Sequence, residues 1–294
     1  MKARDPSSTT RCATVFPCLA LAAFAAVSIS LKAGEIVLTA SEVNGARDIE
    51  MAMDAATSFG TQPGVVTLDA SAGDFFYLNI DRSINIYLSD ITLRSLNGAR
   101  LVNCGDGVFF DGMDLHNVVI EGITFYSEGS GLSAWSDSGG HRNVTVRGNR
   151  FLGGLFGVST HGASNWSIRD NEIEGWAAGA LITNCRGLDI HKNIIRGEDG
   201  LVLFDRARDN RIVNNDIDAF WSGVFLGFWV EDCQVIANRI RGVASAGVVL
   251  DWETYGNKVH GNRVLCCEVC DCLAVWAWSP DAYKDNKITG NHVK

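Results

Sequence analysis

One asparagine recurs at a nearly constant interval through the second half of the chain. Each copy lies in a segment of the same form, from VTVRGNRF around residue 149 to NKITGNHV at the C-terminus. Successive copies are 22, 22, 22, 23, 24 and 29 residues apart. The seven members are Asn149, Asn171, Asn193, Asn215, Asn238, Asn262 and Asn291. Self-similarity at such a period predicts a repeat architecture in which each unit packs against its neighbours.

Each repeat has the alternating pattern of short β-strands. A Val or Ile stands three residues before every asparagine, and a Phe, Ile or Val stands two residues after it. Polar residues alternate with these apolar ones, which is the period of a strand and not of a helix. A second strand follows after a glycine, as in GVSTH at residue 157 and GLVLF at residue 200.

A single repeat is too small to bury its apolar face, so we expect the repeats to stack into a solenoid. Stacking brings the asparagines of neighbouring coils together, where each amide can hydrogen-bond to turn backbone and to the next asparagine. Two earlier segments place Ile91 and Ile123 in the asparagine position, which extends the count to about nine coils. The alternatives are a propeller, which would repeat at about 40 residues, and a sandwich, which would not repeat one position.

The repeats resemble those of the right-handed parallel β-helix proteins of the pectate-lyase-like superfamily. The likeness covers roughly residues 60–294. It implies an all-β, single-stranded parallel β-helix, closed at its N-terminal end by a short helix that we place near residues 46–58. There Ile49, Ala52, Met53 and Ala56 fall on one helical face. The matching segments are 142–151, 165–175, 188–197, 210–220, 233–242, 257–264 and 286–293.

The resemblance specifies the fold more closely than the activity. Chemistry in the superfamily includes β-elimination of uronate polymers, glycoside hydrolysis and C5 epimerisation. This sequence has no Asp-Pro-His-Asp string as in alginate epimerases and no Arg-x-Pro-x-x-Arg string as in pectate lyases. The paired Asp-Asp and Gly-His-Gly strings of polygalacturonases are also absent.

The N-terminus has the features of an export signal. Lys2, Arg4 and Arg11 precede a run of small apolar residues at 13–30. We predict a signal peptide over residues 1–33, with an uncleaved membrane anchor as the alternative, and a β-helix domain over residues 34–294. The protein is then secreted or periplasmic.

The charge balance restricts the class of partner. The chain has 25 Lys and Arg against 34 Asp and Glu, for a net charge of -9. A non-specific binder of phosphate backbones needs a basic surface, so we do not expect a nucleic-acid partner.

An aromatic row on the outside of the solenoid is the candidate binding surface. Within the strand that follows each glycine, the fourth residue should face outward. Aromatic faces stack on sugar rings, while amides and carboxylates bind sugar hydroxyls, so we predict a polysaccharide partner. The fourth positions are Asp111, Trp135, His161, Thr183, Phe204, Gly227, Asp251 and Trp276. The predicted substrate-binding residues are Trp135, Asn184, Phe204, Asp205, Asp251 and Trp252.

Three residues of this surface are candidates for catalysis. His161 is a candidate base near neutral pH, and Arg206 can pair with a substrate carboxylate. Asp137 can tune His161 or act as its acid/base partner. These residues lie on neighbouring coils, so they can meet around one sugar. An idle surface histidine, or an Arg206 paired with Asp205 or Asp209, is the structural alternative.

Four cysteines crowd the enlarged last repeat in the string LCCEVCDC. In an oxidising compartment Cys266, Cys267, Cys270 and Cys272 predict one or two disulfides, without a bond between the adjacent pair. The alternative is a zinc or copper site made of four thiolates. We predict no cofactor; a calcium site would have to start from Asp111 and Asp137, which fall on adjacent coils.

These features favour an exported lyase or C5 epimerase that acts on an acidic, uronate-containing glycan. One alternative is a β-helix that binds glycan or forms a surface scaffold without catalysis. The other is a metal-handling accessory protein that uses the cysteine loop. No cap follows the last core strand at Val293, so we also expect that this end is covered either by Trp276 and Trp278 or by a second copy.

Overall fold

The computed structural model describes residues 34–71, 75–77, 82–103, 105–112, 114–136, 140–280, 282 and 285–294. The predicted signal peptide and Asp137 lie outside these residues. The described part is built from β-strands, one α-helix, α1 (Ala46–Ala56), and a single 3-10 turn at Ala40–Glu42.

The strands are short and follow one another at the period of the sequence repeat. Those of the first coils are β1 (Glu35–Thr39), β2 (Gly64–Asp69), β3 (Phe75–Tyr77), β4 (Ile84–Ile86), β5 (Ile91–Leu96), β6 (Arg100–Asn103), β7 (Val108–Phe110), β8 (Val119–Glu121), β9 (Thr124–Ser127) and β10 (Leu132–Trp135). The middle coils contain β11 (Thr145–Arg147), β12 (Arg150–Leu152), β13 (Phe156–His161), β14 (Ser167–Arg169), β15 (Glu172–Glu174), β16 (Ala178–Thr183), β17 (Asp189–His191), β18 (Ile194–Gly197), β19 (Asp199–Phe204) and β20 (Arg211–Val213). The last coils contain β21 (Asp216–Ala219), β22 (Ser222–Leu226), β23 (Gln234–Ile236), β24 (Arg239–Val243), β25 (Ala246–Leu250), β26 (Lys258–His260), β27 (Arg263–Cys266), β28 (Leu273–Ala277), β29 (Lys287–Thr289) and β30 (His292–Val293).

These strands form three parallel sheets, and each complete coil contributes one strand to each sheet. Sheet 1 has 11 strands, in the order β1-β2-β5-β8-β11-β14-β17-β20-β23-β26-β29. Sheet 2 has ten strands, in the order β3-β6-β9-β12-β15-β18-β21-β24-β27-β30, and sheet 3 has nine, in the order β28-β25-β22-β19-β16-β13-β10-β7-β4. Because hydrogen-bonded neighbours are one coil apart in the chain, the fold is the predicted parallel β-solenoid with close to the predicted number of coils.

The register places equivalent repeat positions side by side. Val146 pairs with Ile168, which pairs with Ile190. All three side chains are buried inside the solenoid. The predicted alternation is therefore correct, and the apolar members of the repeats before the last one form one continuous core.

The recurring asparagines form a buried ladder at the corner between sheets 1 and 2. The Nδ2 of Asn171 donates to Oδ1 of Asn193 at 3.0 Å and to the carbonyl oxygen of Val146 at 2.9 Å. The same contact recurs through every pair, ending with Nδ2 of Asn262 and Oδ1 of Asn291 at 2.9 Å. The ladder prediction is confirmed.

One of the two earlier assignments to this ladder is wrong. Ile123 does precede Asn149 in the stack, since its amide donates to Oδ1 of Asn149 at 3.0 Å. Ile91, however, is the first residue of β5 in sheet 1 and pairs with Gly64. Ala99 occupies the corner instead. Its carbonyl oxygen accepts a hydrogen bond from the backbone amide of Thr124, just as the carbonyl oxygen of Ile123 accepts one from the backbone amide of Arg150.

A glycine is required where the middle coils enter sheet 3. At Gly200 a Cβ atom would collide with the Cγ2 of Ile217 and with the carbonyl oxygen of Gly223. The same collision with a sheet 2 side chain recurs at Gly179 and Gly223. The glycine of the sequence repeat therefore allows sheets 2 and 3 to approach closely at their shared corner.

The N-terminal helix is confirmed with slightly shorter bounds. Its predicted apolar residues, among them Ile49 and Met53, are buried. Glu50 is buried as well; its carboxylate accepts from Arg82 at 2.6 Å and from the side chain of Asn85 at 2.9 Å. The helix packs on β1, β2 and β4 and covers the first coil. Self-association through the last coil stays a prediction.

Candidate functional site

Four members of the predicted outward row are direct neighbours on sheet 3. Trp135 pairs with His161, His161 with Thr183, and Thr183 with Phe204. The assignment of Trp276 to this row is wrong, because Trp276 pairs with Val249. The row member of that coil is Asp251, two residues after Val249. Trp278 takes that place, since its amide donates to the carbonyl oxygen of Leu250 just before Asp251.

The His161 ring is held by its two neighbours in the row. It stacks on Trp135 with ring centroids 4.2 Å apart and an interplanar angle of 11°. Its Nδ1 lies 2.8 Å from the hydroxyl oxygen of Thr183. Trp135 is 60% exposed, so together the two rings present an aromatic platform on the outer face of sheet 3.

A groove of about 680 Å³ runs beside this row, at the corner where the chain turns from sheet 3 to sheet 1. Of the predicted site residues, it brings together Asn184 and Arg206. Its lining is formed by Gly162, Ala163, Ser164, Asn184, Cys185, Arg186, Arg206, Arg208, Trp229, Glu231 and Tyr255. We call it the arginine groove, because three of the residues that line it are arginines.

Arg206 is presented to the groove by an aromatic ring. Its guanidinium carbon lies 5.5 Å from the ring centroid of Trp229, which is cation–π geometry. Among the ion pairs of the described residues there is none between Arg206 and Asp205 or Asp209; the Asp209 carboxylate instead lies 2.8 Å from Nε of Arg186. The alternative prediction, in which Arg206 forms an ion pair with Asp205 or Asp209, is therefore wrong.

The rest of the groove combines acid and hydroxyl groups. Nη1 of Arg208 lies 3.8 Å from the carboxylate of Glu231. A hydrogen bond to Glu231, together with the charge of that carboxylate, raises the pKa of Tyr255. The phenol stays protonated near neutral pH and donates its one proton to Glu231, so its oxygen can accept a hydrogen bond from a ligand.

Sequence reasoning missed Arg186, Arg208, Trp229 and Tyr255. Most of this wall is formed by a ladder of isolated parallel β-bridges, to which each of seven successive coils contributes one residue. In chain order these residues are His116, Arg142, Ser164, Arg186, Arg208, Glu231 and Tyr255. A residue with positive φ follows most of these positions, as at Asn143, Gly187 and Asp209. The available signal was thus an Arg before Asn, Gly or Asp in register with the repeat.

The remaining predicted residues lie around the groove without lining it. Phe204 packs edge-on against Phe228, with centroids 5.4 Å apart. Asp251 and the 58% exposed Trp252 lie two coils beyond Phe204. Asp205 adopts a left-handed conformation with φ 49°, which turns the chain away from the strand. Asp137 is not among the described residues, so its catalytic role and its pairing with Asp111 in a calcium site both stay predictions.

The cysteine loop contains two disulfides, Cys266–Cys272 and Cys267–Cys270. The thiolate alternative needs reduced sulfurs, which this loop does not have. Within the described ranges, no three His, Cys, Asp or Glu side chains are grouped so as to hold a metal ion. None of the described helices has the length and apolar character to cross a bilayer.

Comparison with known proteins agrees with this architecture. A family model described as "Right handed beta helix region" matches residues 156–294, and no curated protein sequence matches the chain. The A-module of the mannuronan C-5 epimerase AlgE6 from Azotobacter vinelandii is similar with a TM-score of 0.67 at 15% identity, over 87% of this chain and 86% of that one. A polygalacturonase from Erwinia carotovora ssp. carotovora is similar with a TM-score of 0.58 at 12% identity, over 91% of this chain and 100% of that one.

A third solved structure has the same fold. The DFA-IIIase from Arthrobacter chlorophenolicus A6, in complex with GF2, is similar with a TM-score of 0.53 at 14% identity, over 89% of this chain and 84% of that one. At these identities the likeness concerns the fold, and it is a distant one to polysaccharide-active β-helix enzymes. The chain folds as a parallel β-helix, and its residues 156–294 match the model of a right-handed β-helix region.

Proposed function

We propose that this protein binds an acidic polysaccharide in the arginine groove and along the neighbouring strand row, and that it cleaves or epimerises the chain next to a uronate carboxylate. The observation that carries the proposal is the concentration of three arginines, Arg186, Arg206 and Arg208, in one groove of a protein whose net charge is -9. Arg186 and Arg208 are paired with Asp209 and Glu231, so Arg206 supplies the excess positive charge that attracts an anionic ligand to this place on the surface.

The shape and lining of the groove favour a polymer. Arg186, Arg208, Glu231 and Tyr255 come from successive coils, which lie about 4.8 Å apart. The groove therefore extends along the solenoid axis, where several sugar units of one chain can lie side by side. Trp229 and Tyr255 supply aromatic faces for the sugar rings.

The proposed reaction begins with neutralisation of the substrate carboxylate. Pairing with Arg206 acidifies the C5 proton next to that carboxylate and stabilises the charge that develops when the proton leaves. His161, two coils away at about 10 Å between backbones, is the proposed base. In a lyase the C4–O bond then breaks and the expelled oxygen takes up a proton. In an epimerase C5 instead takes up a different proton, supplied by water, on the opposite face.

Binding without catalysis is the second candidate function, and one observation favours it. The ring face and Nδ1 of His161 are already engaged by Trp135 and Thr183, an arrangement that serves a binding platform as well as a base. Because polysaccharides of this kind lie outside cells, both functions fit an exported protein, secreted or periplasmic, with residues 1–33 as its signal or anchor. Fractionation of cells that express the full chain tests that location.

A panel of acidic polysaccharides tests the proposal directly. Binding is measured by calorimetry, lyase activity by the ultraviolet absorbance of the new C4–C5 double bond, and epimerase activity by incorporation of solvent deuterium at C5. We expect Arg206→Ala to weaken binding and turnover by about 10- to 100-fold, the loss of one charge-assisted contact of about 1.5–3 kcal/mol. Arg263→Ala is the matched control, because Arg263 is an exposed arginine on β27 of sheet 2.

The outcomes separate the two functions. His161→Ala should abolish product formation while binding persists. Binding by the unaltered protein without any product supports the non-catalytic function. Absence of binding to every acidic polysaccharide, or equal losses in the Arg206→Ala and Arg263→Ala proteins, overturns the assignment of the groove.

A further inference from the structure

The two disulfides of the cysteine loop are nested one inside the other. The loop lies at the corner where the chain passes from β27 of sheet 2 to β28 of sheet 3. The outer bond joins Cys266 to Cys272, with Cα atoms 5.4 Å apart, and the inner bond joins Cys267 to Cys270, with Cα atoms 5.2 Å apart. Because all four sulfurs lie within seven residues, the two bonds divide one loop into a base and a tip.

The outer disulfide closes the base of the loop and is anchored in the solenoid. Cys266 is the last residue of β27, and Cys272 directly precedes β28. The amide of the following Leu273 donates to the carbonyl oxygen of Ser245 in the preceding coil at 3.0 Å. Cys272 is only 8% exposed, and its amide donates to Sγ of Cys266 at 3.2 Å. Cys266 is partly buried, so an attacking thiol can approach only one of the two sulfurs of this bond while the coil is folded.

The inner disulfide closes the tip, which faces solvent. It spans the turn formed by Glu268 and Val269, and Val269 is 94% exposed. Cys267 and Cys270 are both half-buried, so an external thiol can approach their sulfurs without opening the solenoid. Accessible disulfides are the labile ones, since exchange requires a thiolate to reach a sulfur atom.

We propose that Cys267–Cys270 is a reversible thiol–disulfide exchange site for small thiols, while Cys266–Cys272 is a structural bond that keeps the loop in place when the inner bond is open. A thiolate of the reductant attacks one inner sulfur, which forms a mixed disulfide and releases the other cysteine as a thiolate that takes a proton from water. A second thiol then attacks the reductant's sulfur in the mixed disulfide. The reductant leaves as its own disulfide, and the protein gains two thiols.

The surrounding charges favour the closed state in the absence of a reductant. Glu268 and Asp271 are exposed acidic residues within the loop, and their charge disfavours free thiolates beside them. The other described thiols do not compete, because Cys185 and Cys233 are buried. Burial raises their pKa values to about 11 and about 12, so they remain protonated inside the core.

Graded reduction of the full chain tests the proposal. The protein is equilibrated in glutathione buffers of increasing thiol-to-disulfide ratio, alkylated rapidly, and mapped cysteine by cysteine with mass spectrometry. We expect Cys267 and Cys270 to be labelled at a ratio at least about tenfold lower than Cys266 and Cys272. The circular dichroism spectrum should not change over that range, and removal of thiol should restore the unlabelled state.

Two double variants and the buried cysteines serve as controls. Cys267→Ser with Cys270→Ser should lose the labelling at low ratio, whereas Cys266→Ser with Cys272→Ser should retain exchange at the tip. Three results overturn the proposal: both bonds opening at the same ratio, the outer bond opening first, or inner labelling that occurs only together with labelling of Cys185 and Cys233. The last result would mean that the solenoid has to unfold before the thiol gains access.

Discussion

The centre of the asparagine ladder offers the sharpest test of how the solenoid is held together. The Asn193 side chain is 1% exposed and takes part in four hydrogen bonds. Its Nδ2 donates to the carbonyl oxygen of Ile168 at 2.8 Å and to Oδ1 of Asn215 at 3.0 Å. Its Oδ1 accepts from the backbone amide and from the side chain of Asn171, both at 3.0 Å.

Truncation of this side chain should leave one buried backbone group without a partner and remove one hydrogen bond from a second. In Asn193→Ala, the side chain of Asn171 keeps its bond to Val146 and Oδ1 of Asn215 keeps the amide of residue 193. The Asn171 amide loses its partner without access to water, at a cost of about 1–3 kcal/mol. The Ile168 carbonyl keeps its strand partner in β17 and loses one hydrogen bond, at a cost of about 0.5–1.5 kcal/mol. We therefore expect a loss of about 2–4 kcal/mol in the free energy of unfolding.

The last asparagine of the ladder is the matched control. Asn291 accepts from Asn262 and donates to the carbonyl oxygen of Val259 in the same way, but it is only partly buried. Water can replace its contacts after Asn291→Ala, so we expect a cost of about 1 kcal/mol. The comparison tests burial, because Asn291 has three of the four side-chain hydrogen bonds of Asn193 and lacks only the one to a following asparagine.

Hydrogen exchange is the decisive assay, since a solenoid can open one coil at a time. A loss of 2 kcal/mol or more predicts exchange of the Asn171 amide that is at least about 30-fold faster in Asn193→Ala. Urea unfolding should show a lower midpoint for that variant than for Asn291→Ala. Unchanged protection of the Asn171 amide, or equal midpoints in the two variants, would refute the account of the ladder as a buried and mutually dependent network.

Two further predictions concern acid stability and the sheet corner. Burial lowers the pKa of His141 below its ordinary 6.5, so stability should be complete above that pH and fall below it, as the unfolded chain takes up the proton first. A urea titration against pH should show this slope in the unaltered protein and in His292→Gln but not in His141→Gln. Gly200→Ala should cost about 1–3 kcal/mol because its Cβ would strike Ile217; Gly105→Ala, whose Cβ has only ordinary contacts, should be nearly neutral in the same denaturation assay.

The sequence alone determined the fold, because a solenoid converts chain separation into spatial adjacency. Once one asparagine repeats about every 22 residues, residues such as Asn171 and Asn193 have to be neighbours, and the alternating pattern then decides which side chains face inward. The outward positions of Trp135, His161 and Phe204 followed from the same counting. The register of Ile91 did not, because that coil lacks the asparagine and the count had no fixed point there.

Only the tertiary structure decided the site and the pairing of the cysteines. The arginine groove is built from turn residues, and turns vary in length and backbone conformation, so the repeat does not fix where their side chains point. Arg206 adopts φ 62° and lies over Trp229, a contact between neighbouring coils that no local pattern specifies. Likewise, four cysteines in one short loop allow several pairings, and the strand ends that anchor Cys266 and Cys272 select the nested arrangement.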